Sequence, residues 1–211
     1  MNTTNQYAIN TNSIMRQIVT LLDNPVKVVL IAMLIITIIL VGELIAEYIQ
    51  RRYIKLKAVK VVDAIRNGKS NPEDIVANSR LLNKQKELLL EVTKHKNLSN
   101  EMRESLAESL LDNFERQLNV KVKRTDLIVK IGPAFGLLGT LIPLGPGIIA
   151  LASGDTATLS TSLLSAFDTT VVGLISGSIC SVLSLIRKNW YQKDSIMLRL
   201  IMEAIVEEEN K

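Results

Sequence analysis

No charged residue occurs from position 28 to position 42, and that run constrains the fold more than any other feature of the chain. Extended to 26–46, it carries only Lys27 and Glu43 as charges. A helix rises about 1.5 Å per residue, so about 20 apolar residues cover about 30 Å, the hydrocarbon thickness of a bilayer. The run is too long for the apolar part of a secretory leader. No basic cluster precedes it and no small-residue cleavage site follows it. A second span, 127–152, is interrupted only by Lys130, and a third, 157–186, only by Asp168. Averaged over 211 residues, 47% hydrophobic content and a net charge of +4 look like an ordinary globular chain, which hides this segregation. The expected fold class is an all-α membrane protein with three transmembrane helices and long cytoplasmic helical extensions.

Basic residues supply the orientation. Of 25 Lys and Arg, 18 lie in 51–130 and five from 187 onward, and the turn near 153–156 has none. By the positive-inside rule the N-terminus and that turn lie outside, and the central segment and C-terminus are cytoplasmic. The expected organisation is then an outside segment (1–25) with a short amphipathic helix at 14–22, the first membrane helix (26–46), and a cytoplasmic helical region (47–126). The second (127–152) and third (157–186) membrane helices and a cytoplasmic C-terminal helix (187–211) follow. Within the central region Asn71-Pro72-Glu73-Asp74 reads as a helix start, with Asn as cap and Pro at the first position. Gly68 reads as the stop of a helix continuing from the first span, and another helix starts near Ser99 or Asn100. That helix carries Met102, Leu106, Leu110, Phe114 and Leu118, a stripe expected to pack on its cytoplasmic neighbours.

The second and third spans carry small residues on one face each. Gly132, Gly136 and Gly139 on the second, and Gly173 and Gly177 on the third, have the spacing that lets membrane helices approach closely. With the turn centred on Asp155, Thr140 and Thr170 are equally distant from it and so fall at one depth. Hydroxyls at one depth can line a narrow polar path in an oligomer, or each can bond to a carbonyl one turn back. Thr140, Thr170, the adjacent Thr169 and Asp168 are the candidate ion-path residues. A carboxylate at mid-membrane costs about 2.5–3.5 kcal/mol on insertion scales. Lys130 is too far along the hairpin to compensate Asp168. An ion-path role and a neutral, hydrogen-bonded structural role are both open for Asp168. Glu43 is expected to snorkel to water.

Gly132-Pro133-Ala134-Phe135-Gly136-Leu137-Leu138-Gly139-Thr140 resembles the start of the second helix in the MotA/TolQ/ExbB proton-channel family. Thr170-Val171-Val172-Gly173-Leu174 resembles the Thr-x-x-Gly-Leu of that family's third helix. The resemblance implies a homopentamer whose second and third helices surround a pore. In the pore would stand a dimeric single-span partner resembling ExbD, TolR or MotB, whose membrane Asp carries the ion. Thr140 and Thr170 match the pore-facing threonines, which would hydrogen-bond that carboxylate or its relaying water. Ion flow, of H⁺ or Na⁺, would drive mechanical work for envelope transport or a related process. Two departures stand out. Pro143, followed by Gly145-Pro146-Gly147, replaces the usual glycine and predicts a kink or early end of the second helix. An acidic residue common in the family would fall at Ser165, and Asp168 lies one turn later.

Besides the partner subunits, lipid is the expected neighbour and nucleic acid is not, because the basic excess is accounted for by orientation. No nucleophile–base pair, metal-spaced His or Cys cluster or phosphate-binding loop suggests an enzyme or a cofactor. Lone Cys180 forms no internal disulfide, and His95 reads as solvated. The competing class is a structural or signalling membrane protein whose cytoplasmic helices bind a partner.

Overall fold

The computed structural model describes residues 3–53, 58–66, 71–79, 81–95 and 99–208, which form six helices and no strand. They are α1 (Thr3–Tyr53), α2 (Ala58–Arg66), α3 (Pro72–Asn78), α4 (Asn83–Lys94), α5 (Asn100–Ala152) and α6 (Thr156–Glu208). The three long helices are each long and apolar enough to cross a membrane. Gly68 lies outside the described residues. The chain divides into two compact units, Met1–Gly42 with Arg124–Leu183, and Glu43–Lys123 with Ser184–Lys211.

In the first unit, α5 and α6 form a hairpin against the N-terminal part of α1. Its turn follows from two residues. Gly154 adopts φ +77°, the left-handed conformation that ends a helix. The amide of Asp155 donates to Ala150 O at 2.9 Å and that of Gly154 to Leu151 O at 3.2 Å, which satisfies the last carbonyls of α5. Asp155 then caps α6, accepting from the Thr158 amide at 3.0 Å and from the Thr158 hydroxyl. Those bonds hold the Asp155 carboxyl below its usual value. Val26 and Leu30 of α1 pack on Ile142, with Phe135 and Val172 beside them. Farther along, the Thr37 hydroxyl lies 3.5 Å from the buried Cys180 sulfur. Outward-facing Ile38, Leu164 and Phe167 are exposed, an apolar surface that water would not stabilise.

Two local expectations differ from what is found. α5 runs unbroken through Pro133, Pro143 and Pro146, so Pro143 does not end it. The 14–22 segment is not a helix of its own, because α1 continues from it through Pro25.

The second unit has a core like that of a water-soluble protein. Val76 of α3 and Leu89 of α4 pack with Phe114 of α5 and Leu198, Ile201 and Ile205 of α6. Asn71 precedes α3 with Pro72 in its first turn, as expected, but its side chain makes no capping bond. The expected stripe on α5 is only partly the buried one. Met102 is exposed, whereas Arg103, Ala107 and Leu111 are buried with Phe114. Residues spaced by four drift about 40° per step on a helix of 3.6 residues per turn, so a five-member series cannot stay on one face. His95 ends α4, exposed, with Nδ1 2.9 Å from Glu91 O.

Candidate proton-channel site

The hairpin of α5 and α6 is built on backbone contact. A Cβ placed on Gly173 would lie 2.6 Å from Gly132 O and 2.8 Å from Gly136 Cα. One on Gly132 would lie 2.9 Å from Gly173 O, and one on Gly177 3.0 Å from Pro133 Cδ. At Gly139 the neighbour is a side chain, with Thr169 Cβ at 2.6 Å from such an atom. The five glycines singled out for helix packing therefore all lie in the α5–α6 contact; at Gly132, Gly139, Gly173 and Gly177 a methyl would not fit without a shift, and at Gly136 it would just touch Gly173 Cα at 3.4 Å.

These contacts set the register. Gly132 faces Gly177, Gly136 faces Gly173, and Gly147 faces Ser162, so Thr140 and Thr170 lie at one level. Their direction follows from the residues that touch α1. Ile142 and Val172 pack with Val26 and Leu30. Thr140 and Thr170 each precede such a residue by two positions, about 200° around the helix. Both hydroxyls therefore lie on the edge of the hairpin away from α1, where both residues are half-buried. Thr140 donates to Leu137 O at 2.7 Å and Thr170 to Ala166 O at 3.0 Å. With the hydroxyl proton committed to its own helix, each oxygen presents lone pairs outward as acceptors.

The other two candidates lie elsewhere. Thr169 is buried between the helices, fills the space left by Gly139 and donates to Ala166 O at 2.9 Å. Asp168 precedes Val172 by four positions and so lies on the α1 side of α6, about 160° from Thr170. Asp168 is exposed, and neither it nor Lys130 has an ion-pair partner among the described residues. Ser165, the position of the usual family acid, is half-buried on that same side.

A model of the MotA/TolQ/ExbB proton channel family matches residues 69–203, well over half the chain, with all of α5 and all but the last turn of α6. The chain belongs to the MotA/TolQ/ExbB proton channel family. No curated protein matches it. Membership and the three apolar helices make it a multi-pass membrane protein, in a family of channels and not of enzymes. The match leaves α1 outside.

A charged cluster in the second unit was not anticipated. Arg187 is fully buried, donates to Glu43 at 3.1 Å and lies 3.8 Å from Glu47. Glu47 also accepts from Lys121 at 2.8 Å and from the Tyr191 hydroxyl at 3.1 Å. Glu43 is half-exposed while bonded to Arg187. The sequence did carry a signal: Glu43 and Glu47 on one helix and Arg187 and Tyr191 on another are both spaced i, i+4.

Proposed function

We propose that the chain is the channel-forming subunit of an ion-driven stator. As a homopentamer around a dimeric single-span partner of the ExbD, TolR or MotB kind, it would convert proton-motive force into mechanical work across the envelope. The observation that carries this reading is the pair Thr140 and Thr170, level with each other and on the hairpin edge away from α1. Five such hairpins arranged with that edge inward make a ring of hydroxyl oxygens that accept hydrogen bonds. Threonine has no proton to exchange near neutral pH, so the ring can orient a carboxyl or a water but cannot store the ion. The carrier carboxyl would belong to the partner.

In this reading α1, 26–46, lies outside the ring, the N-terminus and the 153–156 turn face outside, and the second unit is cytoplasmic. Asp168, on the α1 side of its helix, falls at the contact with a neighbouring subunit or with lipid and outside the hydroxyl ring. Thr169 serves helix packing. The transported ion is assigned as H⁺ on the family's description, with Na⁺ as the alternative outcome.

The test is ion flux in liposomes holding the chain and its partner. Replacing Thr140 and Thr170 together by Val keeps shape and removes the acceptors; flux is expected to vanish while the oligomer keeps its mass. Unchanged flux rejects the ring, and if envelope function also survives, the structural or signalling reading takes its place.

A further inference from the structure

In the second unit, a cavity of about 590 Å³ opens between α1, α6 and the start of α4, where Leu81, Leu82 and Gln85 close one side, just beyond where the apolar runs of α1 and α6 end. Tyr48 and Trp190 border it with stacked rings, centroids 6.3 Å apart and planes 23° apart. Such rings settle at the boundary between hydrocarbon and headgroups, where one edge is apolar and the other wet. Arg51 forms part of the wall. Its guanidinium makes a two-point bond with Asp194 at 3.0 and 2.6 Å and lies 5.1 Å from the Trp190 ring centroid. That cation is therefore neutralised and held in place.

Two other cations on the same cavity are not. Arg52 and Lys193 are exposed and have neither an ion pair nor a hydrogen bond to any described residue. The cavity thus presents two positive charges that no described residue compensates, beside a stacked aromatic pair. On α1, Ile45, Ile49 and Arg52 follow one another at i, i+4 and i+7, and the two isoleucines are each 52% exposed. One helix face therefore passes from bare apolar surface to a free cation over about two turns. That is the order in which a lipid passes from acyl chain to phosphate. A soluble anion would use the cations and leave the isoleucines without purpose. A zwitterionic lipid would bring no net charge to balance the pair.

We propose that the cavity bounded by Tyr48, Arg52, Trp190 and Lys193 binds the headgroup of an anionic phospholipid, with an acyl chain along Ile45 and Ile49. The site rests on the span ends taken above and is independent of the hydroxyl ring. The chain's single tryptophan is Trp190, so its fluorescence reports on this cavity alone. The full chain in detergent, with any partner that copurifies, is titrated with phosphatidylglycerol carrying brominated acyl chains, the matching phosphatidylcholine, and inorganic phosphate. Phosphatidylglycerol is expected to quench Trp190 at a lower mole fraction than phosphatidylcholine. Arg52→Gln should weaken this about 5-fold, and Arg52→Gln with Lys193→Gln about 30-fold, as expected for single surface cations near anionic lipid. Both side chains are exposed, so the variants should fold. The exposed pair Arg116→Gln and Lys123→Gln, away from the cavity, should leave quenching unchanged. Equal quenching by the two lipids, an equal loss in the Arg116 and Lys123 variant, or a response to phosphate alone would overturn the proposal. Loss of the response when the partner is bound would also overturn it, by giving the cavity to a protein.

Discussion

Gly173→Ala tests whether the hairpin is held by backbone contact. The new methyl carbon would stand 2.6 Å from Gly132 O, 2.8 Å from Gly136 Cα and 3.0 Å from Gly136 N. Each of these is backbone, so no rotamer change relieves it and the helices must separate by about 1 Å. A gap of that size forfeits about a quarter to a half of each dispersion contact along the seam. Overpacking of this kind costs about 1–3 kcal/mol. Alanine also favours the helix over glycine by about 1 kcal/mol, which masks part of the loss. Gly42→Ala is the control, because nothing lies within 4 Å of a Cβ there. The propensity gain is common to both variants and cancels, so their stabilities should differ by about 1–3 kcal/mol, the overpacking cost itself. Reversible unfolding in mixed micelles, followed by circular dichroism, measures the difference. If Gly173→Ala is as stable as Gly42→Ala, the close approach of α5 and α6 is wrong, and the shared level of Thr140 and Thr170 falls with it.

Glu47→Gln should destabilise the second unit by about 2–3 kcal/mol and Glu43→Gln by no more than about 1 kcal/mol. Glu47 is largely buried with three partners whereas Glu43 is half-exposed; the same unfolding assay ranks them, and the reverse order would refute it. Asp168→Asn should leave flux per assembled complex unchanged while altering the yield of complex, because Asp168 lies on the far side of α6 from Thr170; a loss of flux at full assembly would put it in the path. The lowered pKa of Asp155 means that its cap contributes stability above the ordinary carboxylate value, 3.8, and loses it as pH falls through the lower folded value. Asp155→Asn keeps a capping oxygen without the titration, so its thermal stability should fall less between pH 5 and pH 2 than that of the parent chain.

What was legible in the sequence was local. The glycine faces, the position of the hairpin turn and the equal level of the two threonines all follow from one helical repeat counted from Asp155. The side on which Asp168 lies was legible too, since a step of two residues turns a helix by about 200°. The i, i+4 spacing within each helix is visible in the sequence, but the pairing of Glu43 with Arg187 is not, because it depends on how two helices 144 positions apart in sequence slide into register. The buried stripe of α5 was misread by one residue at its start, where a spacing of four drifts off the buried face. Pro143 and the Gly145-Pro146-Gly147 run after it predict a kink or early end of the helix, and the early end is not found. An isolated rule about proline does not include the packing of Ile142 on α1 beside it, and α5 stays helical through that point.

The register of α1 on the hairpin changes the meaning of the charge that bounded the first apolar run. Thr37 meets Cys180, an offset of 143 positions, and parallel helices of equal rise keep that offset. Lys27 is then level with Thr170, and Asp23 with Ala166. The apolar run of α6 extends about 13 residues, or about 20 Å, past that level toward the turn. Over that length α1 does not end. It continues with exposed Ile14, Ile18 and Leu21, carrying Asp23 and Lys27 as an ion pair at 2.7 Å. The pair faces a cavity of about 1050 Å³ that also has Thr161, Ser162 and Ser165 in its wall. An ion pair of adjacent turns beside hydroxyls costs less than a lone charge against hydrocarbon, because each charge compensates the other. Lys27 is therefore one half of an ion pair within a helix that continues past it, and the hydroxyls of Thr140 and Thr170 lie at its level.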